Sequence, residues 1–166
     1  QMTYDEMKAV VDEAKMWGIK VAAHAHGASG IREAIRAGVG TIEHASLLDD
    51  EGIRLAKQYG AWLSMDIYNT DYTQSEGKKN GVLEDNLRKD RELADIQREN
   101  FRRAHQAGVK MVYGTDAGIF PHGDNAKQFA VMVRYGMTPT QAIQSATINA
   151  AEALGRGDIG VIETGR

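Results

Sequence analysis

The sequence predicts an α/β fold of parallel strands and connecting helices, built as half of a (β/α)8 barrel. Three observations carry this. A unit of helix, glycine and short apolar run recurs four times, with the runs at 19–24, 40–44, 61–65 and 109–116, and helices alternating with buried strands are the grammar of parallel crossovers. Three of the runs close on a potential metal ligand: His24, His44 and Asp116. These units could also make an open doubly wound sheet, but ligands at the ends of several strands converge most naturally at the C-terminal pole of a barrel. A closed barrel takes about 250 residues, so the 166 residues here, with four strands, make half of one.

Taken in order, Thr3-Tyr4-Asp5-Glu6 is a capping box, followed by Met7, Val10, Val11, Ala14 and Trp17 at helical spacing up to Gly18. The first strand, Ile19 to His24, continues into Ala25-His26-Gly27 and reads as buried on both faces. Ser29 is the expected cap of a second helix whose buried stripe is Ile31, Ala34 and Ile35, and Gly38 ends it. Asp49 opens a third helix with Ile53, Ala56 and Tyr59 on one face and Gly60 as its stop. After the third strand, Ala61 to Met65, the segment from Asp66 to Leu83 is polar and glycine-rich and reads as a long loop of the kind that forms functional lids. A long charged helix follows, with Leu87, Ile96, Phe101 and Ala104 inward and Gly108 as its end before the fourth strand. Beyond Asp116 the pattern gives a loop over 117–123 and a helix over 125–135. A single last helix then starts at the Thr138-Pro139-Thr140-Gln141 capping box and runs to Leu154. Residues 1–155 form the expected half-barrel, and 156–166 the start of a strand outside it. The ends at Gln1 and Arg166 suggest a piece of a longer protein.

Composition removes several function classes. The net charge is −3, with scattered basic residues, so neither a nucleic-acid footprint nor a membrane-surface patch is present. There is no cysteine, which removes disulfides and thiolate zinc sites. No apolar run approaches the ~20 residues of a membrane span, and the residues before Thr3 do not read as a signal peptide. A soluble protein is expected, cytoplasmic or periplasmic. No phosphate-binding loop or dinucleotide fingerprint occurs, although Gly114, Gly118 and Gly123 mark tight backbone near a site.

Four segments, VAAHAHG at 21–27, AGVGTIEHA at 37–45, YGTDAGIFPHGDN at 113–125 and GMTPTQAIQSATINAAEALG at 136–155, resemble the metal-dependent amidohydrolases, within them the prolidase-like (Xaa-Pro dipeptidase) branch. The resemblance runs from the first helix to the end of the chain. It implies the C-terminal half of a (β/α)8 barrel that holds one or two divalent metals, most often Zn2+. His24 would then be the ligand from strand five, His44 that from strand six, and Asp116 the residue ending strand eight. The family's HxH pair on strand one and carboxylated lysine on strand four have no counterpart between residues 1 and 166. The implied activity is hydrolysis of amide or peptide bonds in small substrates, dipeptides or N-acyl amino acids.

The residue types suit that chemistry. Imidazole nitrogens and a carboxylate are good zinc ligands, and a catalytic site keeps one position open for water. Asp116 would be the general base and then the general acid. His26, two residues after His24 and on the same side of the strand, Tyr68 just beyond the third strand, and His122 on the loop after Asp116 are the candidate substrate contacts. His105, near a helix end, is a structural residue that suits the helix dipole. A different class of function is also open: an inactive half-barrel whose two exposed sheet edges pair with another copy. The expected partners are accordingly a small-molecule or dipeptide substrate and a second copy of the chain, as a homo-oligomer.

Overall fold

A computed structural model describes residues 2–165 of the chain. Its core is a four-stranded parallel sheet in the sequential order β1 (Ala22–Ala25), β2 (Thr41–His44), β3 (Trp62–Ser64) and β4 (Met111–Val112). The strands are joined by α2 (Ala28–Ala37), by α3 (Asp50–Tyr59), and by α4 (Asn69–Glu76) followed by α5 (Glu84–Gln106); α1 (Tyr4–Met16) precedes them. After β4 come a 3-10 turn at His122–Asp124, α6 (Lys127–Arg134), α7 (Pro139–Ala146) and α8 (Ile148–Leu154). This is the expected α/β class, with parallel strands and helices in the order of a half-barrel.

The local reasons are those read from the residues. Thr3 and Glu6 close the capping box at the start of α1, and Thr138 and Gln141 close the one at α7 with Pro139 at the first helical position. The Asp49 carboxylate accepts from the Gly52 N–H and starts α3. Gly38 and Gly60, with φ of 96° and 71°, take the left-handed conformation that stops α2 and α3 and turns the chain back into the sheet. Ile31, Ile35, Ile42, Leu63, Met65, Phe101 and Met132 form the centre of the core, where the helices meet the middle strands.

Several expectations are corrected. Residues 66–83 are not all loop: α4 forms within them, its buried side being Asn69 and Thr70 rather than an apolar stripe. The last helix is two, broken at Thr147, where φ −123° and ψ −93° depart from the helical region. Gly27, not Ser29, precedes α2, and no side chain caps it. β1 is not buried on both faces: Ala22 and His24 on one face are exposed, and Ala23 and Ala25 on the other are half-buried; Trp17, Tyr59 and Ile96 likewise face outward at 73%, 52% and 46% exposure. No strand forms at 158–162, where the backbone bends, with Gly160 at φ 91°. No described helix is long and apolar enough to cross a membrane.

Candidate metal centre

The strand tips converge. The register pairs Ala25 with His44 and His24 with Glu43, so the ends of β1 and β2 sit side by side. His24 and His26 project from the same side of the chain, as strand alternation requires. The rings of His24, His26 and His44 then lie with their centroids 4.5 to 4.7 Å apart, those of His26 and His44 stacked. Ligand atoms of these three histidines are within 4.8 Å of one another, and so are those of a second group, His44, Asp66 and Asp116. His24, His44, Asp66 and Asp116 share the wall of one cavity of ≈ 200 Å3.

Close backbone approach makes this possible. A Cβ built on Gly114 would lie 2.1 Å from Ser64 Oγ, so glycine lets the chain leaving β4 pass close to the end of β3 on its way to Asp116 without displacing that hydroxyl. The Gly114 carbonyl accepts from the fully buried Gln128 side chain at 2.5 Å. Among the described residues the non-glycine positions with left-handed φ are His44 (70°), Ala45 (48°) and Asp116 (51°). Such conformations cost energy and gather at functional sites; here they fall on two members of the cluster and on the residue after one of them.

Electrostatics divide the cluster. His44 Nδ1 lies 3.0 Å from Asp66 Oδ1, and that hydrogen bond raises the His44 pKa above its ordinary value against the opposing effect of burial. Burial works to raise Asp66, but the hydrogen bond and charge of His44 outweigh it and hold the carboxyl below its usual range. His26 is pushed down by burial and by the neighbouring imidazoles of His44 and His24, which favours its neutral form; its Nδ1 lies 2.9 Å from Ser46 Oγ.

Of the residues singled out in the sequence, the structure brings together His24, His26, His44 and Asp116 and leaves two outside. Tyr68 is buried in the core, edge-on to Phe120 at 5.0 Å, because the chain turns inward after β3. His122 is exposed in the 3-10 turn, its carbonyl accepting from Asn125 Nδ2 at 2.5 Å, and it belongs to neither ligand group. His105 lies in the last turn of α5, as expected. Asp66 is the member that sequence reasoning missed. Its signal was there: Leu63-Ser64-Met65-Asp66 closes the third apolar run on a carboxylate, as the other runs close on His24, His44 and Asp116.

Three imidazoles and two carboxylates at this spacing are a donor set of nitrogen and oxygen that suits zinc or a similar divalent ion. Parallel strands that deliver such groups to their C-terminal tips are the architecture of (β/α)8-barrel enzymes. The chain belongs to the amidohydrolase family, which it matches over residues 1–166. It is 37% identical over 158 residues to an ochratoxinase of Aspergillus niger, covering 93% of this chain and 32% of that protein. A crystal structure of a Xaa-Pro dipeptidase with methionine bound in its active site superposes with a TM-score of 0.92 at 39% identity, over 100% of this chain and 41% of that one. A prolidase crystallised with N-methylphosphonate-L-proline gives 0.90 at 32% identity, over 99% and 40%. The chain thus spans about a third to two fifths of the length of these relatives.

Proposed function

We propose that this chain carries part of the metal site and the proton-transfer residue of a hydrolase acting on amide or peptide bonds of small substrates, dipeptides or N-acyl amino acids. The observation that carries the reading is the gathering of His24, His44 and Asp116 around one cavity at the strand tips. The relatives act in the same sense, since they include a Xaa-Pro dipeptidase and a prolidase.

His24 and His44 would hold the ion through ring nitrogens, with Asp116 beside them. A divalent metal bound there supplies a Lewis acid for the scissile carbonyl and lowers the pKa of water. Asp116, exposed at the mouth of the cavity, takes the proton of the attacking water and returns it to the leaving amine. Its left-handed backbone holds the carboxylate towards the cluster. His26, kept neutral by its surroundings and hydrogen-bonded to Ser46, lies where a substrate carbonyl or carboxylate would be met.

A second reading, an inactive half-barrel that associates with another copy, draws on β1, an end strand with no neighbour on its outer edge among the described residues. The expected second open edge is not found, because the β4 backbone is met by Asn149 and Ser145. One experiment separates the two. Metal analysis after zinc loading, with dipeptide and N-acyl amino acid hydrolysis assays, should find bound metal and turnover in a complete enzyme that contains this chain and the loss of both in its His24→Ala variant. Unchanged metal content in that variant would sink the assignment of His24, and a protein that neither binds metal nor hydrolyses any substrate of the panel would favour the scaffold.

A further inference from the structure

The buried carboxylate of Asp66 has both oxygens engaged by groups of this chain. Oδ1 faces His44 Nδ1 at 3.0 Å and accepts from Gln97 Nε2 at 3.1 Å; Oδ2 accepts from Asn69 Nδ2 at 2.5 Å. Asp66 and the two amides that hold it are enclosed, Asp66 and Gln97 at 9% exposure and Asn69 at 8%. We infer that Asp66 is a positioning residue, which orients the His44 ring and fixes its tautomer so that Nε2 is the atom offered to the metal. The inference rests on the metal-site reading above and adds a residue to it.

For the neutral imidazole, the form that can ligate a metal, the chemistry leaves one consistent assignment of hydrogens. An ionised carboxylate only accepts, so the ring nitrogen that faces it, Nδ1, must carry the proton. The lone pair then sits on Nε2. Carboxylates that hold ligating histidines in this way raise the basicity of the ligand and lock its orientation. Asn69 shows how strongly the arrangement is specified: its amide must turn Nδ2 towards Asp66, and Oδ1 is thereby left buried with no hydrogen-bond partner, a costly state for an acceptor. Gln97 adds a second tie, donating also to the His44 carbonyl at 3.3 Å, so that one side chain holds the His44 backbone directly and its ring through Asp66. Asp66 could instead be a ligand itself, since it falls within reach of Asp116 and His44; its occupied oxygens favour positioning.

Two variants of the metal-loaded protein test this, Asp66→Asn and Gln97→Met, each close in volume to the residue it replaces. Metal affinity is measured by competition with a chelator, and coordination by the visible spectrum of the cobalt-substituted protein. Positioning predicts that Asp66→Asn binds zinc about 10- to 100-fold more weakly while the cobalt spectrum keeps the intensity of the original coordination number. Gln97→Met should shift affinity in the same direction by less, and it carries the test alone if Asp66→Asn does not fold. A changed coordination number in the Asp66→Asn spectrum would make Asp66 a ligand and overturn the inference, as would zinc affinity within twofold of the parent in both variants. A parent protein that binds no divalent metal would overturn the metal-site reading together with it, so the two failures are distinguishable.

Discussion

Along the β4 edge of the sheet, helices stand in for a neighbouring strand, whereas β1 flanks an open, mainly apolar cavity of ≈ 490 Å3 beside α1. Met111 and Val112 of β4 are both buried, the Met111 carbonyl accepts from the Asn149 side chain in α8 at 3.1 Å, and the Tyr113 N–H donates to the Ser145 carbonyl at 3.1 Å. No residue of β1 is buried, and His24 at its tip is exposed. The difference teaches how the site is divided. His44, Asp66 and their amide partners are fixed by packing within this chain, while His24 and His26 stand on a strand whose outer edge has no partner among the described residues. An unpaired edge is an invitation to another strand, so the β1 side is where a further segment or a second chain would complete the wall.

The largest expected effect tests the packed edge. Met111 is 3% exposed, pairs with Leu63 and belongs to the main core. Met111→Ala removes a buried side chain from a strand that is only two residues long, and should lower the free energy of unfolding by about 2–5 kcal/mol. Urea denaturation of the parent and the variant measures it. A loss below about 1 kcal/mol would mean that the β4 edge can collapse around the gap, and that the contrast with β1 is smaller than the packing implies.

How much of this was legible in the sequence follows the same division. His24, His44 and Asp116 could be found because each ends an apolar run entered from a left-handed helix stop, a pattern that local chemistry dictates. Asp66 was hidden by the polar stretch that begins with it. That stretch forms α4 through side-chain hydrogen bonds rather than apolar periodicity: Thr70 Oγ1 and Gln74 Nε2 both donate to Asp90 of α5, at 3.0 and 2.6 Å. A hydrophobic period cannot report a helix held by polar contacts. The exposure of β1 was equally unreadable, because an apolar run looks the same whether or not its neighbour is present. Thr147 divides α7 from α8 with neither glycine nor proline to mark the break.

The second effect is one of pH and sharpens the account of the β4 side. Tyr113 stacks on Phe129 with centroids 4.3 Å apart and donates its hydroxyl proton to the Asn125 carbonyl. Burial pushes its pKa up from 10.0 to about 12. The folded state therefore keeps this proton where the unfolded chain has lost it. Stability from this group is complete below pH 10, falls as pH rises from there to about 12, and is level beyond. Because the side chain is only half-buried, solvent screening makes the loss smaller than the full shift would give. Tyr113→Phe should flatten the fall of stability across that window and remove the last phenolate step from the ultraviolet titration. A slope unchanged in the variant would show that Tyr113 ionises freely and that the β4 side is more open than its hydrogen bonds imply.

The smallest effect probes the open edge. Ile19 leads into β1 at 61% exposure, its N–H donating to the Ala14 carbonyl at 2.9 Å, so the side chain contributes little to the fold of this chain. Ile19→Ala should change the unfolding free energy by no more than about 0.5 kcal/mol, the range of exposed positions. The measurement is informative because it can fail in one direction only. A substantially larger loss would require that Ile19 be covered in solution by something beyond the residues described, and the dependence of that loss on protein concentration would identify the cover. A loss that grows with concentration belongs to a second copy seated on β1, since association stabilises by mass action; a loss that is constant belongs to a segment of the same polypeptide. Either result would place the missing wall of the site on the strand that carries His24.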